Sequence, residues 1–250
     1  MLAIVCSLCA LLLLAQPPRL PSIGVYSLKF TEVFSADRNP AALAGIKKYT
    51  AGIYAERRFM LKEMSGYALN GALPVASGTI GIRIKQFGFS LYKEQMFGAG
   101  YALPLGEKLK AGIHLDYNMQ RAPQFKEAGM IAECGVLWQI AERVGLGVNV
   151  FNPTGKGLKL YTMGVGYAPS SQLLIEAECR KEEGRPLSTL VDGIYRPLQR
   201  FWLLGGFATQ PVYQFAGLGF LLRNMRIGII GSRHQLLGFT PGITVTWEAE

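Results

Sequence analysis

His114 and Asp116 are the first residues of this sequence whose types and spacing could do chemistry. They stand two apart in a segment that alternates apolar and polar side chains, so a β-strand would place both on one face. A carboxylate beside an imidazole can orient it as a general base, but that base then needs a serine or cysteine nucleophile within reach. The spacing places no such nucleophile, and the pattern favours a polar pair on a strand.

Three further patterns resemble catalytic or binding motifs, and each lacks a required part. Residues 152–157 have the composition of a phosphate loop, but the first glycine of that motif is absent and Gly157 stands where a serine or threonine should follow the lysine. Glu176 and Glu178 lie two apart on one strand face, whereas a hydrolase sets its carboxylates around the substrate. His234 raises the alternative of a barrel phospholipase, but it falls in a predicted loop. We therefore predict no catalytic residue, no metal site, no cofactor and no enzyme.

The elements that must position these residues repeat about fourteen times after Lys47. Each is a run of about ten residues that alternates apolar with small or polar side chains and ends in a turn, as in residues 109–119. Successive side chains of a strand point to opposite faces, so each run has one apolar and one polar face. An even number of strands is typical of single-chain bacterial outer-membrane barrels. The sequence predicts an all-β fold, an antiparallel transmembrane β-barrel of about 14 strands.

Composition and the N-terminal residues indicate an exported chain. Of the 250 residues 50% are hydrophobic and 17% are charged, yet no stretch beyond the leader approaches the roughly 18 apolar residues that a spanning helix needs. Residues 1–15 are largely apolar and precede Gln16-Pro17-Pro18, a pattern typical of a secretory signal peptide. An uncleaved anchor or a misplaced start are the alternatives.

Residues 16–48 lack the alternation and predict a plug-like segment with a short helix. Asn39 suits the helix cap, Pro40 the first helical position and Gly45 the end. The stretch from Asn39 to Leu43 is a candidate gate. Residues 49–250 then form the barrel, with short connections on the side of the termini and longer, more charged ones opposite, as outer-membrane barrels have.

The phase of each strand predicts which charges line the lumen. In residues 80–85 the isoleucines alternate with Arg83 and Lys85, and lipid on the outside would send these cations inward. A soluble barrel would invert the pattern by burying its apolar face, but about fourteen strands enclose more volume than one soluble core fills. The predicted lumen residues are Arg83, Lys85, His114, Asp116, Glu133, Glu176, Glu178 and Arg180.

The net charge of +9 indicates which kinds of molecule this protein could bind. No nucleic-acid-binding motif accompanies it, so we expect no nucleic acid and instead outer-membrane lipid, with lipid phosphates or an anionic solute facing the basic residues. Cys134 and Cys179 fall on the apolar phase of separate strands, and we predict no disulfide between them.

Residues 34–44, which include Asn39-Pro40-Ala41-Ala42-Leu43, resemble the N-P-A-x-L element before the first strand of FadL-like outer-membrane barrels. Residues 87–118 are similar to the PorV/PorQ branch of that family, found in Bacteroidetes, and residues 237–243 to its last loop and strand. This resemblance implies a fourteen-stranded barrel with an N-terminal segment in the lumen. It also implies transport of hydrophobic molecules or, for the PorV type, an accessory role in type IX secretion.

Two hypotheses of function follow. In the first, the barrel moves or binds a small solute and the segment around Asn39 to Leu43 is its gate. A buried charge without water or a partner is costly, so a charged lumen favours the entry of water and hence transport. In the second, a closed and plugged barrel presents its outer loops to secreted cargo or envelope proteins. Both place the protein in the bacterial outer membrane.

Overall fold

The computed structural model describes residues 24–154 and 157–250. The signal peptide expected over residues 1–15 lies outside the described residues, as do residues 16–23 of the expected plug-like segment. Within the described ranges fourteen strands form one closed antiparallel barrel, in which each strand pairs with its sequence neighbours and the last pairs with the first. The predicted fold class is confirmed. The strands are β1 Thr50–Arg57, β2 Ser65–Val75, β3 Gly78–Gly88, β4 Lys93–Pro104, β5 Leu109–Ala122, β6 Phe125–Ala141, β7 Val144–Phe151, β8 Leu160–Tyr167, β9 Leu173–Glu182, β10 Leu187–Leu198, β11 Phe201–Thr209, β12 Val212–Leu222, β13 Met225–His234 and β14 Gly238–Glu248.

The helices of the described residues are short 3₁₀ helices. Two lie before the barrel, at Val33–Asp37 and Pro40–Gly45, and two lie between β1 and β2, at Arg58–Met60 and Lys62–Met64. The expected single short helix is thus two, separated by Arg38 and Asn39. Asn39 caps the second helix by accepting a hydrogen bond from the amide of Ala41 at 3.0 Å. None of the described helices is long and apolar enough to cross a membrane.

The strand phase divides the barrel wall into an apolar outer face and a mixed inner face. In β3, Ile80, Ile82 and Ile84 are 38–42% exposed on the outside, whereas Arg83 between them is 3% exposed. Cys134 and Cys179 are free thiols exposed on the outer face. An outer face of this kind is stable where hydrocarbon surrounds it, because every backbone hydrogen bond is closed within the barrel.

The connections differ from the expected contrast between short turns and long loops. We call the end where β1 begins and β14 ends the terminal mouth, and the opposite end the distal mouth. At the distal mouth only residues 58–64 and 152–159 form longer connections, since β5 and β6 meet across residues 123–124 and β13 and β14 across residues 235–237. The loops expected at 120–124 and 232–241 are shorter because their flanking residues continue the strand pairing.

The plug, which we define as residues 24–46, fills the lumen on the side of the terminal mouth. Val33, Phe34 and Leu43 are 0–6% exposed and pack against inner-face residues of the wall, among them Tyr54 and Ile230. The carbonyl of Ile46 accepts a hydrogen bond from Thr79 Oγ1 at 3.2 Å, at the start of β3. Each such apolar side chain contributes about 1.5–3 kcal/mol by leaving water. The plug therefore completes the apolar core inside the barrel, to which buried wall residues such as Leu174, Leu190 and Phe215 also contribute.

Glycines on the inner face let the second plug helix approach the wall. A Cβ atom at Gly135 would meet the side chain of Asn39 and the ring of Pro40, and one at Gly112 would meet the backbone of Pro40. At this distance the Asn39 amide donates hydrogen bonds to the carbonyls of Val136 and Val148, at 3.3 and 3.2 Å. The small residues of β5 and β6 thus form the seat of the helix.

Replacement of Gly135 by valine is expected to unseat the second plug helix. The added atoms overlap Asn39 and Pro40, and overpacking of this kind costs about 1–3 kcal/mol. The measurement is the rate of trypsin cleavage after Arg38 in the folded protein, which should rise. Gly129→Val is the matched control, because it lies on the same strand and face and a Cβ there meets nothing within 4 Å. Equal cleavage of both variants would contradict this seat.

Candidate functional site

Asp37 and Arg38 are adjacent in the plug and form ion pairs with opposite sides of the barrel. The Asp37 carboxylate lies 2.9 Å from the ammonium of Lys85 on β3. The Arg38 guanidinium lies 2.6 Å from Glu178 on β9 and 2.8 Å from Asp192 on β10. In the closed order of fourteen strands, β9 and β10 lie six and seven positions from β3, so these walls face each other across the lumen. The two neighbouring charges hold the plug from both sides.

The first wall cluster surrounds Arg83 on β3. Its Nε donates to Asp116 Oδ1 at 2.6 Å, a second nitrogen bonds the other oxygen of Asp116, and the same nitrogen lies 2.7 Å from Glu133. Asn149 donates to the second oxygen of Glu133 at 2.8 Å. Asp37 of the plug adds a longer contact of 3.7 Å. A two-pronged arginine–carboxylate pair of this kind is strong and directional, and this cluster has its partners within the wall.

The second wall cluster lies on β9 and depends more on the plug. Glu176 accepts hydrogen bonds from the amides of Gly24 and Tyr26, at 3.0 and 2.7 Å. Glu178 accepts one from the Tyr26 hydroxyl at 2.8 Å and is bonded by Arg180 of the wall at 2.7 Å. Because Glu176 accepts these hydrogen bonds from the plug, removal of the plug would expose its carboxylate to a solute that enters the lumen.

The environment of Asp37 and Arg38 keeps both side chains charged. Burial by itself raises the pKa of Asp37, but the positive charges of Lys85 and Arg83 outweigh it and hold that pKa below its usual range. Burial by itself lowers the pKa of Arg38, but the carboxylates around it outweigh this and raise the pKa. Since the Asp37 pKa is lower in the folded state, its contribution to stability is present at neutral pH and is lost as the pH falls through the lowered pKa.

The histidines do not have catalytic geometry. His114 Nδ1 lies 3.8 Å from Asp116 Oδ1, which is beyond hydrogen-bond distance, and the Asp116 carboxylate bonds Arg83 instead. His234 ends β13, and its Nδ1 accepts the amides of Leu236 and Leu237 at 3.2 Å each, as part of a turn. Among the described residues, no group of three His, Cys, Asp or Glu side chains is placed to hold a metal ion.

The charged side chains of the lumen are buried and paired, which corrects the argument that their charges require water. Except for Lys85, the predicted lumen residues are at most 8% exposed, and their partners are other charges of the wall and the plug. Paired burial therefore satisfies these charges in the plugged state. The structure brings Arg83, Asp116 and Glu133 into one cluster, Glu176, Glu178 and Arg180 into another, with Lys85 at Asp37 and His114 beside Asp116.

The structure buries all three predicted plug residues, Asn39, Pro40 and Leu43, between the plug and the wall. Sequence reasoning missed Asp37, Arg38 and Asp192. Two adjacent opposite charges directly before the Asn-Pro cap, in an otherwise apolar segment, were the available signal for the first two. For Asp192 the signal was its phase, since it alternates with outward-facing residues of β10.

No family model and no curated protein matches this sequence. Solved structures do resemble it. A Pseudomonas aeruginosa FadL homologue shares 9% identity, with 87% of this chain and 94% of the other covered and a TM-score of 0.66. The toluene transporter TbuX of Ralstonia pickettii shares 10%, with 88% and 94% covered and a TM-score of 0.68.

The CymD monoaromatic hydrocarbon channel shares 10% identity, with 91% of this chain and 95% of the other covered and a TM-score of 0.65. At such identities the likeness concerns the course of the backbone. The closed barrel, its strand number and its lumenal N-terminal segment together show that this chain has the fold of FadL-family outer-membrane barrels.

Proposed function

We propose that this chain is a bacterial outer-membrane transport barrel, closed in the described state by a plug that moves to let a small solute pass. The observation that carries the proposal is the way the plug is held. It fills the lumen through hydrogen bonds, ion pairs and apolar contacts, and its charged residues Asp37 and Arg38 are paired with the wall. Barrels of the same fold include a toluene transporter and a hydrocarbon channel, which supports transport.

Several buried charges of the wall keep a partner within the wall when the plug moves, which supports a plug that can withdraw from the lumen. Arg83 retains Asp116 and Glu133 when the plug moves, and Glu178 retains Arg180. Buried ion pairs contribute little net stability once the loss of hydration is counted, and water entering the lumen would solvate the groups that the plug uncovers. Electrostatics therefore positions the plug without making its release prohibitive.

The proposed location in the outer membrane rests on the apolar outer face of the barrel and on the expected signal peptide. Residues 1–15 would direct export and be removed, and lipid of the outer membrane would contact the apolar outer face of the wall. The terminal mouth, which the plug occupies, would face the periplasm. The solute would enter by the distal mouth.

Neutralising both plug charges is expected to open the barrel. The double variant Asp37→Asn/Arg38→Gln removes the ion pairs to both walls and leaves Lys85, Glu176 and Asp192 without these partners. Conductance in planar bilayers should be low for the unchanged chain and clearly higher for the double variant. Lys29→Gln is the control, because Lys29 is an exposed plug residue and should leave the conductance low.

The shift of the barrel on unheated and heated gels shows whether each variant is folded. A folded double variant that conducts no ions and admits no solute into liposomes would contradict a removable plug.

The two outer-face cysteines test the membrane setting. In lipid bilayers Cys134 and Cys179 should react slowly with a charged, membrane-impermeant thiol reagent, because lipid covers the outer face. A cysteine placed at Leu236, which is 88% exposed at the distal mouth, should react quickly in the same preparation. Cys6 and Cys9 are replaced by serine so that their labelling does not interfere. Equal rates at all three positions would argue against a spanning barrel.

A closed accessory barrel is the second candidate, and the burial of the lumen charges favours it. A lumen filled by paired charges needs no solute path, and the similarity to the PorV type implies a role beside type IX secretion. In this alternative the distal mouth binds secreted cargo or envelope proteins. Chemical cross-linking in outer membranes should then recover a defined partner with the tagged chain and none with an unrelated tagged barrel. Absence of any partner, together with conductance of the double variant, would favour transport.

A further inference from the structure

Arg38 occupies a site that the wall forms from three carboxylates. Its Nε donates to Glu178 at 2.7 Å, its Nη1 donates to Asp192 at 2.8 Å, and Nη1 lies 3.6 Å from Glu176. The three carboxylate side chains are 0–1% exposed and belong to the adjacent strands β9 and β10. Two carboxylates at two edges of a planar guanidinium match the fork of donors that this group presents.

The wall supplies too few cations to satisfy this site by itself. Arg180 is the wall cation bonded to Glu178, at 2.6 Å, so this side of the lumen carries one positive charge against the three carboxylates. The opposite side is balanced in number, since its two cations, Arg83 and Lys85, equal its two carboxylates, Asp116 and Glu133. Within these eight wall residues the excess negative charge therefore lies around Arg38, and it would remain there when the plug moves.

We propose that this site binds the guanidinium or ammonium group of a cationic solute, and that Arg38 occupies it in the closed state as an internal substitute. The proposal rests on the transport function proposed above and names the class of solute. A solute cation competes with Arg38 for Glu178 and Asp192, so its binding favours the state in which the plug has withdrawn. A ligand shifts such an equilibrium only through its different affinity for the two states. Here the affinity differs because Arg38 blocks the site in the closed state and leaves it free when the plug has withdrawn.

Chemical rescue tests the site in the full-length protein. Arg38→Ala vacates it, and methylguanidine is the probe, with the uncharged N-methylurea of similar shape as its control. Titration calorimetry should show methylguanidine binding at least about tenfold more tightly than N-methylurea, as a charge-assisted hydrogen bond predicts. This preference should disappear in Arg38→Ala/Glu178→Gln/Asp192→Asn. It should not arise in Lys29→Ala, where the plug loses an exposed lysine and Arg38 remains.

The unchanged chain provides a second measurement should Arg38→Ala fail to fold. Methylguanidine should raise the rate of chymotrypsin cleavage after Phe30 and Phe34, which are buried in the closed state, by releasing the plug, while N-methylurea should leave it unchanged. Equal effects of the two compounds in both measurements would overturn the proposed cation site.

A measurement of ion selectivity distinguishes failure of the proposed cation site from failure of the proposed transport function. In bilayers with a salt gradient, the reversal potential of the open Asp37→Asn/Arg38→Gln variant should indicate cation preference, and Glu178→Gln/Asp192→Asn added to it should reduce that preference. A conducting variant that prefers anions would overturn the cation site and leave transport standing. A folded variant without any conductance would instead overturn the transport function on which the site depends.

Discussion

The structure depends on one constraint: a charge buried inside the barrel must have a partner of opposite sign or water. In the proposed membrane setting, hydrocarbon around the wall would favour the inward direction of charged side chains near the middle of the strands, such as Arg83, Asp116 and Glu133. The wall meets this constraint in part by itself, through Arg83 with Asp116 and Glu133. It meets the rest through the plug, whose Arg38 compensates the surplus carboxylates of β9 and β10.

The same constraint explains why the plug has its two kinds of residue. Its apolar side chains need an apolar surface, which the inner-face alanines of β2 and β4 and Ile230 of β13 provide. Its charged pair needs opposite charges, and these lie on facing walls. Glycines at the seat bring the helix backbone close enough for Asn39 to bond strand carbonyls. Shape and charge therefore determine the same position of the plug, and the proposed release must overcome both.

Much of the fold could be predicted because β-barrel strands carry their own signal. The alternation in residues 109–119 identifies a strand and its two faces without reference to any partner, and the same holds for the isoleucines around Arg83. The ends of the distal hairpins could not be predicted so well. Polar residues such as Gln120 and Arg121 suit a loop as well as a strand end, and their pairing with Glu127 and Lys126 decides between them.

The sequence by itself determined the number of strands, the inward direction of Arg83, Glu133 and Glu178, and the Asn-Pro start of a plug helix. These are local properties, set by side-chain period and backbone geometry. Only the tertiary structure decided which charges meet. Arg38 and Asp192 are far apart in sequence, and barrel closure places β3 opposite β9 and β10. A pattern along one strand records the face of a charge, whereas its partner depends on how the whole chain closes.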